Sequence, residues 1–334
     1  MQPAQGISPH SGTLDIVSQQ ECPLKGLRIG KVGKIAFHAL TAITAVSTAA
    51  VIVATVITGT LPLAALIVSS VAFGIFFTAQ AANLVKPHLP KNIQHVINVI
   101  RATVVDIFAT LALAVMFPVK QSRFDPKTAD PDQTPILLVH GYLHNSSGWV
   151  YHRHHYKKAG LKNVFTVDLG HPFHSIEDYS EVLRKKIDKI QQITGRKDIK
   201  LVGHSMGGVV SAHYALNCAE SDGVQVKDLI TLGSPLMGTR IGRIGVGKCA
   251  KEMRFGCAYI SNLSERLNKS TIPHFHQGSK GDIVIFPHRS SLNDTDDQNT
   301  LTYKDLGHCS FMLSDRVVRA NIQRLQTTPV AATA

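Results

Sequence analysis

Between Lys34 and Lys86 the chain runs for 51 residues without one Asp, Glu, Lys or Arg. Gly59 and Pro62 break the run in its middle, leaving two halves, 35–58 and 61–85. A helix rises about 1.5 Å per residue, and crossing about 30 Å of hydrocarbon takes roughly 20 apolar residues. Each half is long enough. A helix at a soluble surface shows a polar face, and neither half does. The reading is a transmembrane helical hairpin closed by a tight turn. Its many Ala, Gly, Ser and Thr residues suit close helix packing in lipid. The run begins late and repeats, which does not fit a cleaved signal sequence. Residues 1–34 form a polar, basic N-terminal tail ahead of it.

Charge is placed as this predicts. Lys25, Arg28, Lys31 and Lys34 precede the hairpin, and Lys86 and Lys91 come after it. Basic flanks stay on the cytoplasmic side, so both ends of the hairpin, and the chain after it, are expected there. A third apolar stretch, 93–119, is interrupted by Arg101 and Asp106. It reads as a third span, an interfacial helix or a helix packed on the C-terminal domain, and on this choice hangs the side of the membrane that the rest of the chain occupies. Only 17% of residues are charged, against about 25% in a soluble domain. That excludes a disordered chain. The net charge of +12 comes from basic residues beside apolar segments, and no nucleic-acid motif is present. A membrane partner is expected rather than a nucleic acid.

Residues 120–134, polar and Pro-containing, read as a linker. From 135 to the end the texture is that of an α/β domain. Short β-branched runs at Ile136–His140, Val164–Asp168, Ile199–Gly203, Leu229–Leu232 and Ile283–Ile285 alternate with helical stretches, which predicts a mostly parallel sheet. Apolar residues from Ile176 to Ile193 recur at helical spacing. Met206–Ala219 suits another helix, and a last one starts near Ser314. The five cysteines are scattered; Cys249 and Cys257 are the one pair considered for a disulfide, and free thiols are the reading taken.

The chemistry begins at Gly203-His-Ser-Met-Gly207, a G-x-S-x-G after an apolar run and before a helical one. This is the context of a nucleophile elbow, in which a sharp strand-to-helix turn presents Ser205 and small neighbours leave it room. A serine needs a base and the base needs an orienting acid, here in the chain order Ser, acid, His. Downstream, Gly281-Asp-Ile-Val-Ile-Phe-Pro287 offers Asp282, and Asp305-Leu-Gly-His-Cys-Ser310 offers His308. Asp294, Asp296, Asp297 and Asp305 are alternative acids nearby. Upstream, Ile136-Leu-Leu-Val-His-Gly-Tyr142 is a strand ending in His-Gly. The backbone N–H groups of Tyr142 and Met206 are the candidate oxyanion donors, with Leu143 as an alternative to Tyr142. His140 is given no catalytic part.

Residues 135–325 resemble the α/β-hydrolase superfamily, lipase and esterase branch. The matches are LLVHGY at 137–142, GHSMGG at 203–208, TLGSPLMGT at 231–239, GDIVI at 281–285 and GHCSF at 307–311. TLGSPLMGT is similar to a loop of bacterial triacylglycerol lipases and GPI inositol-deacylase-like proteins. The resemblance implies an α/β-hydrolase fold, a triad of Ser205, Asp282 and His308, and a backbone oxyanion hole. No strand is found before Ile136, so the sheet is expected to be minimal. The hydrophobic first third lies outside the resemblance.

Histidines at 152, 154 and 155, at 171 and 174, and at 274 and 276 match no metal spacing and read as surface or loop residues, with His171 and His174 at a pocket rim. Neither metal nor organic cofactor is called for. Residues 235–275 carry a net +5; the resemblance implies a cap over the pocket here, and the charge reads either as a basic cap facing anionic headgroups or as a solvated basic face. The expectation is a membrane-anchored serine hydrolase acting on carboxylic esters of lipids. Acyl transfer, thioester hydrolysis and an inactive membrane scaffold are the alternatives.

Overall fold

Strands and helices alternate along the chain and close into one parallel sheet. The computed structural model describes residues 91–294 and 299–327. The hairpin expected at 35–58 and 61–85 lies outside them. The strands are β1 (Ile136–Val139), β2 (Val164–Val167), β3 (Asp198–His204), β4 (Gln225–Leu232), β5 (His274–Ser279) and β6 (Thr300–Tyr303). Their order is β2-β1-β3-β4-β5-β6, and every neighbouring pair is parallel. Val139 pairs with Gly203, Gly203 with Thr231, and Leu232 with Gln277. The carboxyl ends of the central strands are thus level, and the loops that leave them share one edge.

Helices cover both faces, so the central strands read as continuous apolar runs. All four residues of β1 are buried. Leu137 and Val139 point to one core, with Leu183, Val209 and Val210; Ile136 and Leu138 point to the other, with Trp149, Tyr156 and Val317. Each such aliphatic side chain contributes about 1.5–3 kcal/mol by leaving water.

The helices are α1 (Lys91–Met116), α2 (Val150–Lys158), α3 (Ile176–Thr194), α4 (Met206–Asn217), α5 (Lys248–Glu252), α6 (Ala258–Lys269) and α7 (Asp315–Thr327). Helix α3 starts with a reciprocal cap between Ser175 and Asp178 and stops at Gly195, which takes a left-handed conformation at φ 67°. Helix α7 buries Val317, Val318 and Leu325, and Ile322 packs on the same core.

One expected strand is wrong. Ile283–Ile285 forms bends, and the strand in this part of the chain is His274–Ser279. Its residues are mostly polar, yet His276, Gln277 and Ser279 are buried because each has a partner inside: Thr231, Tyr303 and Leu306 respectively.

Residues 120–134 are fastened to the domain. Arg153 donates to Asp125 and to the carbonyl of Gln121, Lys186 also pairs with Asp125, and Thr134 donates to Asp198. Helix α1 is long and apolar enough to cross a membrane by length and composition. Val99, Ala102, Ala109 and Leu113 are nevertheless buried, and the helix packs on the domain. Ile93, Val96, Val115 and Met116 remain exposed.

Candidate active site

The turn from β3 into α4 places Ser205 at φ 54°, ψ −126°, a conformation an L-residue rarely adopts. Gly203 and Gly207 allow it. A Cβ on Gly203 would stand 2.4 Å from the Gly208 nitrogen, and one on Gly207 2.2 Å from the Val139 carbonyl oxygen. Backbone against backbone leaves nothing to yield, so only glycine fits at either position. The Ser205 amide donates to the Leu232 carbonyl at 2.9 Å, which ties the turn to the end of β4.

Ser205 Oγ lies 2.9 Å from His308 Nε2, and His308 Nδ1 lies 2.8 Å from Asp282 Oδ2. The three come from the loops after β3, β5 and β6. With a carboxylate at Nδ1, that nitrogen carries the proton, and Nε2 is free to accept from the serine. Asp282 Oδ1 accepts from the amides of Val284 at 2.8 Å and Ile285 at 3.0 Å. The apolar run expected as a strand is therefore the turn that fixes the carboxylate. All three side chains are buried. Burial disfavours a charged His308, but the charge and hydrogen bond of Asp282, helped by Asp106, outweigh it and hold the imidazole above its ordinary value.

Of the expected oxyanion donors, Met206 follows Ser205 in the chain and Tyr142 follows Gly141. A Cβ on Gly141 would come within 2.9 Å of Ser205 Cβ. Among the described residues neither amide has a backbone acceptor. The next residue, Leu143, has φ 55°. Of the alternative acids, Asp305 pairs with Arg316 and Asp294 with Arg289, while the carboxylate on His308 Nδ1 is that of Asp282; Asp296 and Asp297 lie outside the described residues.

Buried histidines brace the site. His140 Nε2 accepts from the Leu169 amide at 2.9 Å, so its Nδ1 holds the proton and donates to the Gly141 carbonyl at 2.9 Å. Burial pushes its pKa down to about 4 and keeps it neutral. His204 Nε2 meets the His308 carbonyl at 3.0 Å, and burial holds this ring well below its ordinary value too. His152, expected at the surface, is fully buried and meets the Phe311 carbonyl at 3.0 Å. His276 is buried as well. His171 and His174 pack on each other beside Phe173, whose ring faces Tyr142. Among the described residues no three His, Cys, Asp or Glu are grouped to hold a metal ion. Cys249 and Cys257 are free thiols.

Sequence reasoning misses two supports. Thr239 Oγ1, in the TLGSPLMGT stretch, donates to the Val284 carbonyl at 2.7 Å and accepts from the Phe286 amide at 3.1 Å, steadying the Asp282 loop. Asp106 accepts from Ser310, two residues beyond His308. A signal for it is present: a lone carboxylate in an apolar helix requires a polar partner elsewhere.

Residues 136–268 match the alpha/beta hydrolase family. The domain has the α/β-hydrolase fold. Solved structures similar to this domain include the lin2722 gene product of Listeria innocua, at 15% identity and TM-score 0.47, covering 60% of this chain and 96% of that one. The mature lipase BlEst2 of Bacillus licheniformis is 19% identical at TM-score 0.46, with the same 60% and 96% coverage. Lipase B of Aspergillus fumigatus is 15% identical at TM-score 0.49, covering 61% and 56%.

Proposed function

We propose that the chain is a membrane-anchored serine hydrolase of lipid carboxylic esters. The observation that carries the reading is the unbroken line of hydrogen bonds from Ser205 Oγ through His308 to Asp282, built on a strained elbow. In this reading His308 takes the Ser205 proton as Oγ attacks the acyl carbonyl. The amides of Tyr142 and Met206 receive the oxyanion, and the N-terminus of α4 favours its charge. Asp282 orients the ring and stabilises its cation. The protonated His308 then gives its proton to the departing alkoxide, leaving an acyl-Ser205. Water, deprotonated by His308, releases the acid.

The lipid substrate is supported by the rim. Ile244 (70% exposed), Val246 (62%) and Phe286 (51%) are open to water, as are Phe173 and Phe255, and Gly247, next to Val246, abuts Phe173. Arg240 stands over the rings of Phe286 at 5.2 Å and Phe255 at 5.9 Å. The Tyr142 hydroxyl donates to the Val246 carbonyl, which links the rim to the oxyanion loop. Arg240, Arg243, Lys248, Lys251 and Arg254 form no ion pair among the described residues. An apolar crest among unpaired cations suits an anionic bilayer surface. The stretches 35–58 and 61–85 would supply the anchor, with the domain on the cytoplasmic side by the basic flanks.

The test is hydrolysis of a panel of phospholipids, acylglycerols and acyl thioesters by the full chain in micelles, beside Ser205→Ala. Release of fatty acid from oxygen esters, lost in Ser205→Ala, supports the reading. Unchanged turnover in that variant, or turnover of thioesters alone, overturns it.

A further inference from the structure

Helix α1 precedes the segment matched to the hydrolase family, yet it touches three loops of the site. Ala102 abuts Gly281, where an added Cβ would come within 2.7 Å of the Ala102 Cβ, beside Asp282. Asp106 abuts Gly307, where a Cβ would fall 2.4 Å from the Asp106 side chain, beside His308. Just after the helix, the Phe117 carbonyl accepts from Asn145 Nδ2 at 2.9 Å, and the Phe117 ring meets His144, in the loop beyond Tyr142.

Asp106 is the polar point of this contact. Its Oδ1 accepts from the Ser310 amide at 2.7 Å and from Ser310 Oγ at 2.9 Å. Ser310 opens the turn after His308, so these two bonds set where the histidine backbone stands, while His204 holds its carbonyl from the other side. The titratable groups that face Asp106 are His308, Asp282 and the Cys309 thiol. No lysine or arginine pairs with it among the described residues. Desolvation raises the Asp106 carboxyl to about 6, ahead of the opposing pull of the His308 charge.

We infer that Asp106 is a positioning residue of the triad, a second carboxylate supplied from outside the matched segment that holds the His308 loop through Ser310 and favours the imidazolium formed during catalysis. It does not touch substrate; it acts through His308. The inference rests on the reading of Ser205 and His308 as nucleophile and base, but on no particular ester.

The experiment is an NMR titration of the His308 ring in the full chain in micelles, assigned against His308→Gln, for wild type, Asp106→Asn and Asp106→Ala. Labelling of Ser205 by a fluorophosphonate is followed over the same pH range. Asp106→Asn keeps an acceptor for Ser310 and loses the charge, so the His308 pKa is expected to fall by roughly half a unit or more with the fold intact. The labelling rate should fall at its plateau by up to about threefold, because the imidazolium loses that charge, while its acid limb moves down with the ring. Asp106→Ala should lower the plateau about tenfold, and the asparagine should restore most of it. An unmoved His308 pKa in Asp106→Asn overturns the inference whether or not the alanine variant folds. Loss of lipid hydrolysis with labelling and titration as expected would sink the lipid-ester reading and leave this one standing.

Discussion

Gly207 and Val139 are packed so closely that no side chain fits between them: a Cβ on the glycine would stand 2.2 Å from the valine carbonyl oxygen. The contact joins the first turn of α4 to the end of β1, and so sets Ser205 against the loop that carries Tyr142. Gly207→Ala is expected to push these two loops apart. Overpacking of this kind costs about 1–3 kcal/mol. Thermal melting should show the loss. Fluorophosphonate labelling of Ser205 should fall far more than the folded fraction does, and labelling that tracks only the folded fraction would show that the elbow tolerates the shift.

Asp282→Asn keeps the shape of the side chain and removes the charge that faces His308 Nδ1. The ring can then turn its other tautomer toward Ser205. Turnover is expected to drop roughly a thousandfold or more with little change in KM. Steady-state kinetics on a short-chain ester, with circular dichroism as the control for folding, decides it. A drop of less than tenfold would give the acid's part to another residue.

The pH dependence comes from His308. Its pKa lies above the ordinary imidazole value of 6.5, because Asp282 and Asp106 outweigh burial. Only the neutral ring can take the serine proton. kcat/KM should therefore be full above that raised value and fall as pH drops through it, with the midpoint above 6.5. The stability consequence has the opposite sense. A pKa raised by folding stabilises the fold below the unfolded value, and that contribution is lost as pH rises through the folded one. An acid limb centred below 6 would contradict the arrangement.

Arg153 is buried against Asp125 and also donates to the Gln121 carbonyl. Arg153→Ala leaves that carboxylate with Lys186 as its remaining basic partner. The expected cost is about 3 kcal/mol. Limited proteolysis should then cut within 120–134 first, since this side chain pins that stretch. Resistance equal to wild type would mean the other contacts suffice.

At the rim, Ile244→Asp with Arg243→Glu puts negative charge where an anionic bilayer is expected to approach. Hydrolysis on anionic vesicles should fall about tenfold, and less on a soluble short-chain ester. Equal losses on both would place these residues elsewhere in the reaction.

How far the sequence can be read depends on which residues carry the pattern. Strands β1, β3 and β4 are buried on both faces and show it as apolar runs, and the glycines around Ser205 are required by backbone contacts that no other residue survives. Strand β5 is hidden because its buried residues are His276, Gln277 and Ser279, whose partners lie on other strands and loops and leave no local trace. Ile283–Ile285 misleads for the converse reason. Ile285 is buried, but the backbone here turns to aim two amides at Asp282. Of the site, Ser205, Asp282 and His308 are legible in the order of their motifs. Asp106 shows only as a break in an apolar run, since nothing near it in the chain points to Ser310, 204 positions later.

The contact of α1 with Gly281, Gly307 and Ser310 bears on how the chain can be dissected. Shortening it to residue 135 onward would keep every motif and strip the outer wall from two of the three triad loops, opening a water-filled notch behind the imidazole. Such a fragment would be a different catalyst from the intact polypeptide, and a weak one need say nothing about the parent.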